Sequence, residues 1–254
     1  MTTTTAASSR PEPELRGQTV VVIGGSAGIG LETARRARRE GADVVLVARD
    51  PNRLEQAARQ LQASSTAALD ATDPAALARF FADLPAPIDH VMVTGPGPHY
   101  APLAEASADD VRREITDHVV LSLEIARNAA PKMRAGGSLT FMGGTGGRRI
   151  SRELGLVSAA TAVLPPFVAT LALELAPVRV NLIAAGFVDT PLSASYFADG
   201  ESLERRREHL RATLPIGRVV EAADVGALAV HLMTNTALTG ATYDIDGGQQ
   251  FVRA

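Results

Sequence analysis

Residues 19–30 read "TVVVIGGSAGIG": a run of strand formers, a glycine turn, then the opening of a helical pattern. β-Branched side chains in an unbroken apolar run suit a strand buried on both faces, as in a parallel sheet. The glycines that follow have separate steric tasks. Gly24 permits the tight turn, Gly28 lets an anion approach the backbone, and Gly30 lets the helix pack on the strand. Ser26 and Ile29 belong to the same candidate cofactor-binding turn, and the N–H groups at the helix start would hold a pyrophosphate. Strand, turn and helix in this order predict a doubly wound Rossmann fold.

The alternation continues along the chain. Further strand-like runs are "DVVLVA" (43–48), "TAAL" (66–69), "DHVMVT" (89–94), "SLTFM" (138–142), "RVNLIAA" (179–185) and "ATYDID" (241–246). Helical periodicity fills 28–40, 51–62, 74–83, 107–133, about 152–176 and 221–233, with Pro51 and Pro74 in first-turn positions behind the candidate N-caps Asp50 and Asp73. This pattern predicts an α/β single domain: about seven parallel strands with helices on both faces. Residues 1–16 are expected to be a disordered polar tail, 17–254 the domain, and 187–220 a mobile lid over the substrate.

Composition narrows the function classes. The 254 residues carry a net charge of -3 with no basic stripe, which argues against nucleic acid as a partner. The chain has no cysteine, so disulfides, thiolate metal sites and a cysteine nucleophile are excluded. The histidines at 90, 99, 118, 209 and 231 lack metal-ligand spacing, and no metal is expected. No apolar run is expected to reach the ~20 residues that span a bilayer, and the opening "MTTTTAASSRPEPE" has no apolar signal region. A cytoplasmic protein without membrane partners is the expectation.

Several motifs in fixed order carry a more specific likeness: "GGSAGIG" (24–30), "LVARD" (46–50), "LDATD" (69–73), "VMVTGPG" (91–97), "LALELAPVRVNLIAAGFVDTPL" (171–192) and "YDIDGG" (243–248). Together they resemble the short-chain dehydrogenase/reductase family over nearly the whole chain after Gly17. The resemblance implies a nicotinamide cofactor, a small-molecule substrate and a homo-oligomer, tetramer or dimer. It implies that Asp70 meets the adenine, although an Asp there is also an ordinary turn former. Gly95 keeps a close approach to the cofactor where the family has Asn-Asn-Ala-Gly, and Gly186 and Thr190 match the segment that cradles nicotinamide and phosphates, with Ala185 replacing a proline. An acid at the end of the second strand grips the 2′-hydroxyl of NAD; here Ala48 and Arg49 stand there, which favours NADP(H), unless Arg49 is only a solvated charge beside Asp50.

The same resemblance implies a Ser-Tyr-Lys set with a supporting Asn. Aligned from both flanks, the Ser position falls on Gly144, the Tyr on Val157, the Lys on Thr161 and the Asn on His118. None of the four keeps the family residue, and the one lysine, Lys132, has no tyrosine near it in sequence. Candidate replacements are His99 and Tyr100, after the fourth-strand turn, and His118 itself. Thr145, Arg148 and Arg149 in the glycine-rich "GGTGGRR" stretch offer a hydroxyl and two cations toward an anionic substrate, or are a turn residue and solvated charges. Pro165 and Pro166 inside the 152–176 helix require a kink or a restart.

Two readings follow. In the first, the chain is an NADP(H)-dependent oxidoreductase with a non-standard proton donor, acting on a carbonyl, enone or imine, because the cofactor brings the hydride and an activated substrate demands less of the protein. In the second, it is a catalytically inert NADP(H)-binding sensor or partner subunit. Cofactor-free chemistry on the same scaffold is disfavoured by the retained glycine turn and Arg49.

Overall fold

The computed structural model describes residues 14–148, 154–197 and 199–252. Residues 1–13, most of the expected tail, and Arg149 lie outside the described residues. The expected tail boundary at residue 16 is too late. Leu15 is fully buried among the core residues and its N–H donates to the Glu40 carbonyl at 2.9 Å.

The first half alternates strictly: β1 (Thr19–Ile23), α1 (Gly28–Arg39), β2 (Asp43–Ala48), α2 (Pro51–Leu61), β3 (Ser65–Ala68), α3 (Pro74–Asp83) and β4 (Ile88–Val93). Asp50 and Asp73 cap α2 and α3 as expected, their Oδ1 atoms accepting from Asn52 and Ala75 N–H at 2.9 Å each. The second half runs α4 (Ala108–Ile115), a π turn (Thr116–Val120), α5 (Leu121–Ala129), β5 (Met133–Gly144), a 3₁₀ turn (Thr145–Arg148), α6 (Gly155–Ala162), α7 (Leu164–Glu174) and β6 (Arg179–Ala185). It closes with β7 (Val188–Asp189), α8 (Pro191–Ala194), α9 (Gly200–Thr213), β8 (Val220–Glu221), α10 (Ala222–Thr234) and β9 (Thr242–Ile245).

Seven strands form one parallel sheet in the order β3-β2-β1-β4-β5-β6-β9. Both faces are covered, and the alternation within β1 shows how. Val21 and Ile23 join the core under α3, α5 and α7, whereas Val20 and Val22 join the core under α1, α2 and α10. Each such side chain removed from water contributes ~1.5–3 kcal/mol. The order reverses between β1 and β4, opening a crevice at their C-terminal ends, the usual ligand position of such sheets.

Two expectations need correction, and a third is met. The single helix over 107–133 is instead α4 and α5 joined by the π turn, in which Leu121 N–H reaches back five residues to the Thr116 carbonyl. Side chains compete for the ladder here: His118 Nδ1 lies 3.1 Å from the Glu114 carbonyl and Ser122 Oγ donates to the His118 carbonyl at 2.6 Å. The kink or restart expected at Pro165 and Pro166 is a restart: α7 begins at Leu164 with both prolines in its first turn, where a missing N–H leaves no bond unmade. Lastly, an apolar run does reach bilayer length: Gly155–Glu174 is 20 residues with mean hydropathy 1.9. Leu156, Leu164, Val168 and Leu171 bury one side of it within this fold.

The 187–220 segment has a small core of its own, with Leu210, Leu214 and Val219 packed against Phe187. Arg207 ties α9 to β7 through a two-pronged bond to Asp189, 2.8 Å on each oxygen.

Candidate active site

At the mouth of the crevice the backbone is packed so closely that side chains are excluded. A Cβ on Gly24, whose φ is +84°, would lie 2.1 Å from Thr94 Oγ1. One on Gly30 would lie 2.3 Å from the Gly24 carbonyl oxygen, so α1 rests directly on the turn. Gly28, at φ +52°, would set its Cβ 3.4 Å from Thr190, which brings the segment after β6 over the glycine turn. Thr94 Oγ1 donates to Ile23 O at 2.9 Å and joins the ends of β4 and β1. The N-cap of α1, Ala27, has no side-chain capping bond, and no acid stands in the first turn. Ser26 and Ile29 are half-buried beside these glycines. A bare turn with open helix amides is a cradle that fits a pyrophosphate.

Around this cradle the expected residues divide. Gly95, at φ +48°, has open space where a Cβ would be. Thr190 caps α8, accepting from Ser193 N–H at 3.1 Å. Gly186 answers to a different neighbour: its Cβ would collide with Gln249 Oε1 at 2.4 Å, so its smallness serves the packing of the C-terminal turn. Arg49 is exposed and makes no hydrogen bond or ion pair among the described residues, since Asp50 is engaged in capping α2. Its charge is felt at Asp70 and Asp117. Asp70 Oδ1 accepts from Thr72 N–H at 2.9 Å and from Thr72 Oγ1 at 2.8 Å, a local turn; the Thr72 N–H bond, then the hydroxyl, holds its carboxyl below the ordinary value.

The positions aligned with the family's catalytic set carry little proton chemistry. Gly144 ends β5, and a Cβ there would lie 3.9 Å from Thr161 Cγ2, which places those two positions side by side. Val157 and Thr161 are buried on α6, and the Thr161 hydroxyl donates to the Val157 carbonyl at 2.7 Å within its own helix. The glycine-rich turn has a packing explanation. A Cβ on Gly147 would meet Ala162 at 3.1 Å, and the Gly146 carbonyl accepts from Ser158 Oγ at 2.8 Å, so α6 sits against the turn. Thr145 is buried, and Arg148 pairs with Asp244 on β9.

His99, Tyr100 and His118 converge on a residue the sequence reading passed over, Glu114. Its carboxylate is 1% exposed; Oε2 accepts the His99 N–H at 3.1 Å, and Oε1 has no hydrogen-bond partner but lies 3.4 Å from His118 Nδ1. Burial pushes its carboxyl up, with His118 beside it pulling the other way. Tyr100 and Tyr196 stack edge to face, centroids 4.8 Å apart, and Tyr196 donates to the Pro98 carbonyl at 3.0 Å. Burial, then the Glu114 charge, raises the Tyr100 phenol; burial and Tyr100 push Tyr196 up to about 12. Both phenols are weak acids here, the reverse of a tyrosine tuned by a lysine. The fully occupied His90 is a contrast: Nδ1 contacts Ser138 Oγ at 2.8 Å, Nε2 contacts Gln18 at 2.7 Å, and burial lowers it to about 4.

A family model described as enoyl-(acyl carrier protein) reductase matches residues 24–250. The chain belongs to the short-chain dehydrogenase/reductase family. Among its relatives in that family, the sorbitol dehydrogenase of Cereibacter sphaeroides is 30% identical over 92% of this chain and 98% of the other. The short-chain dehydrogenase/reductase ATR9 of Stachybotrys chlorohalonatus is 28% identical over 93% and 98% respectively. The L-sorbose reductase of Gluconobacter frateurii, solved with NADPH and L-sorbose, superposes with a TM-score of 0.84 at 25% identity, covering 94% of this chain and 98% of that one. The protein is therefore an oxidoreductase of the short-chain type.

Proposed function

We propose that the protein is an NADP(H)-dependent reductase whose proton chemistry has moved off the usual Ser-Tyr-Lys positions, acting on an activated carbonyl, enone or imine. The observation that carries this reading is the pairing of an intact side-chain-free cradle with Val157 and Thr161, buried and without an acidic proton directed to the crevice. Gly24, Gly28 and Gly30 would admit the pyrophosphate to the α1 amides, and Arg49, held by no capping or ion-pair duty, suits a 2′-phosphate. A bound nicotinamide supplies the hydride. The chain's own part is to orient the acceptor beside Tyr100 and Tyr196 and to neutralise developing negative charge, for which the His99, Glu114 and His118 cluster is the group at hand. An imine already cationic needs no proton at the moment of hydride transfer, which suits a site without the Tyr-Lys pair. The exposed Leu173 and Phe251 support a homo-oligomer.

The test is calorimetry with NADPH and NADH, followed by NADPH oxidation against simple ketones, enones and cyclic imines. Tighter binding of NADPH and turnover of an activated class are expected. Binding without turnover of any class would overturn the reductase reading in favour of an inert sensor, a reading favoured by the internally bonded Thr161 hydroxyl.

A further inference from the structure

The buried carboxylate of Glu114 has an oxygen with no hydrogen-bond partner, 3.4 Å from a histidine on the one π turn among the described residues. An unpaired buried oxygen is costly, and π turns frequently mark functional positions. His118 Nδ1 is held between that oxygen and the Glu114 backbone carbonyl at 3.1 Å. A carbonyl only accepts, so Nδ1 carries a hydrogen, and the bond fixes which nitrogen remains for other work. No described residue bonds Nε2, and the side chain keeps 11% exposure. The carboxylate itself, 1% exposed, is closed to a substrate and acts only through its neighbour.

We propose that Glu114 is a positioning residue that holds a proton on His118, and that His118 Nε2 delivers this proton to the reduced substrate. The inference rests on reading the crevice as a site of hydride transfer from a nicotinamide. Hydride arriving at carbon leaves an electron pair on a carbonyl oxygen, or on the α-carbon of an enone. The Nε2–H bond breaks, its electron pair stays on the ring, and a new O–H or C–H bond forms. The imidazole is left neutral with Nδ1–H on the Glu114 carbonyl, and solvent returns the proton to Nε2.

The groups around the pair fit this assignment. On its own helix Glu114 has Asp110 and Arg113, with Asp117 in the π turn; His99 and Tyr100 face it from the loop after β4, and Tyr196 from beyond α8. Arg206 on α9 acts on Tyr100. The helix packed across α4, α6, brings no titratable side chain between Gly155 and Ala162. Among the charges acting on the Glu114 carboxyl, His118 is the strongest, and the imidazole is its natural counter-charge.

Glu114→Gln keeps the shape and removes the charge. In the pH profile of kcat/KM, the basic limb, where the proton is lost, is expected to move to lower pH, because the variant no longer sets an opposite charge beside the protonated ring. His118→Gln should abolish the limb. Imidazole NMR on the protein without cofactor is the second readout: His118 should show Nδ1–H in its neutral form, and its titration should move down in Glu114→Gln. An unmoved basic limb, an unmoved titration, or a neutral form protonated on Nε2 would overturn the proposal. Should Glu114→Gln fail to fold, the tautomer in the unaltered protein decides alone. Failure of NADPH binding or of all turnover would sink the reductase reading, while the NMR result would still decide whether the pair exists.

Discussion

The glycine cradle and the Glu114 cluster are built from opposite materials. The cradle is mostly backbone, and a Cβ on Gly24 or Gly30 would lie 2.1 Å from Thr94 Oγ1 or 2.3 Å from the Gly24 carbonyl oxygen, which excludes side chains there. The cluster is made of side chains on helices and loops, where the backbone accepts nearly any residue. Val157 and Thr161 sit in α6 with ordinary helical bonding. A binding site of the first kind is held in place by backbone sterics, whereas a proton donor of the second kind can be exchanged at a cost in packing and not in backbone path. The contrast is what the proposed function requires of this chain: a cofactor cradle kept by sterics and a proton donor moved to other side chains.

The largest expected effect comes from placing a tyrosine and a lysine at the two α6 positions on which the proposed function turns. Val157→Tyr with Thr161→Lys should raise reduction of a simple ketone by roughly 10²–10⁴-fold, the usual worth of a positioned general acid. Both positions are buried, so about 1–3 kcal/mol of stability is lost to overpacking. Steady-state kinetics and a denaturant melt measure both. No gain in a folded double variant would mean that the rest of the site is not arranged for hydride transfer, and the contrast drawn above would fail.

Next in size is a pH term that any profile of the cluster must be read against. His90 is buried neutral in β4, and its folded pKa of about 4 lies below the unfolded 6.5. Between those values the unfolded chain binds the extra proton, so stability is full above pH 6.5 and declines as pH falls toward 4, by on the order of 3 kcal/mol. Denaturant unfolding at pH 7 and pH 4.5 checks this. His90→Gln should be less stable at neutral pH but show a flatter slope in that window; an equal slope would place the acid sensitivity elsewhere.

The cradle itself is tested by one methyl group. Gly30→Ala puts a Cβ 2.3 Å from the Gly24 carbonyl, backbone against backbone, so α1 must lift from the turn. A loss of about 1–3 kcal/mol in stability and a comparable loss in cofactor affinity are expected by thermal melt and calorimetry. Tolerance of this change would remove the steric half of the comparison.

How much of this was legible beforehand follows the same division. The strands of the sheet and the caps Asp50 and Asp73 are readable because β-branched runs and Asp-Pro pairs act locally. Glu114 was not readable. In "DDVRREI" it resembles one more charge on a solvated helix, and only the packing of α4 with the loop after β4 and with α6 buries it. The π turn was hidden for a related reason, since it follows from bonds of His118 and Ser122 to carbonyls four residues back, which leave no mark on hydrophobic periodicity. Gly186 was legible as constrained, but its partners, Asp246 and Gln249, lie some sixty residues downstream. Local chemistry can be read from the chain, and long-range burial has to be seen.

The smallest effect concerns the one cationic side chain assigned to the cofactor's far end. Arg49 is exposed at the end of β2, where water screens its charge, so its removal is worth less than a buried contact. Arg49→Ala should weaken NADPH by about tenfold, the ~1.4 kcal/mol of one charge-assisted contact at a wet site, and leave NADH unchanged. Calorimetry at low and high salt separates the outcomes: the NADPH loss should shrink as salt rises, because the contact is electrostatic. Equal weakening of both cofactors would assign Arg49 to the shape of the β2 end, and discrimination between the two would then have to come from the backbone cradle, which meets the same pyrophosphate in either case and has no means of telling them apart.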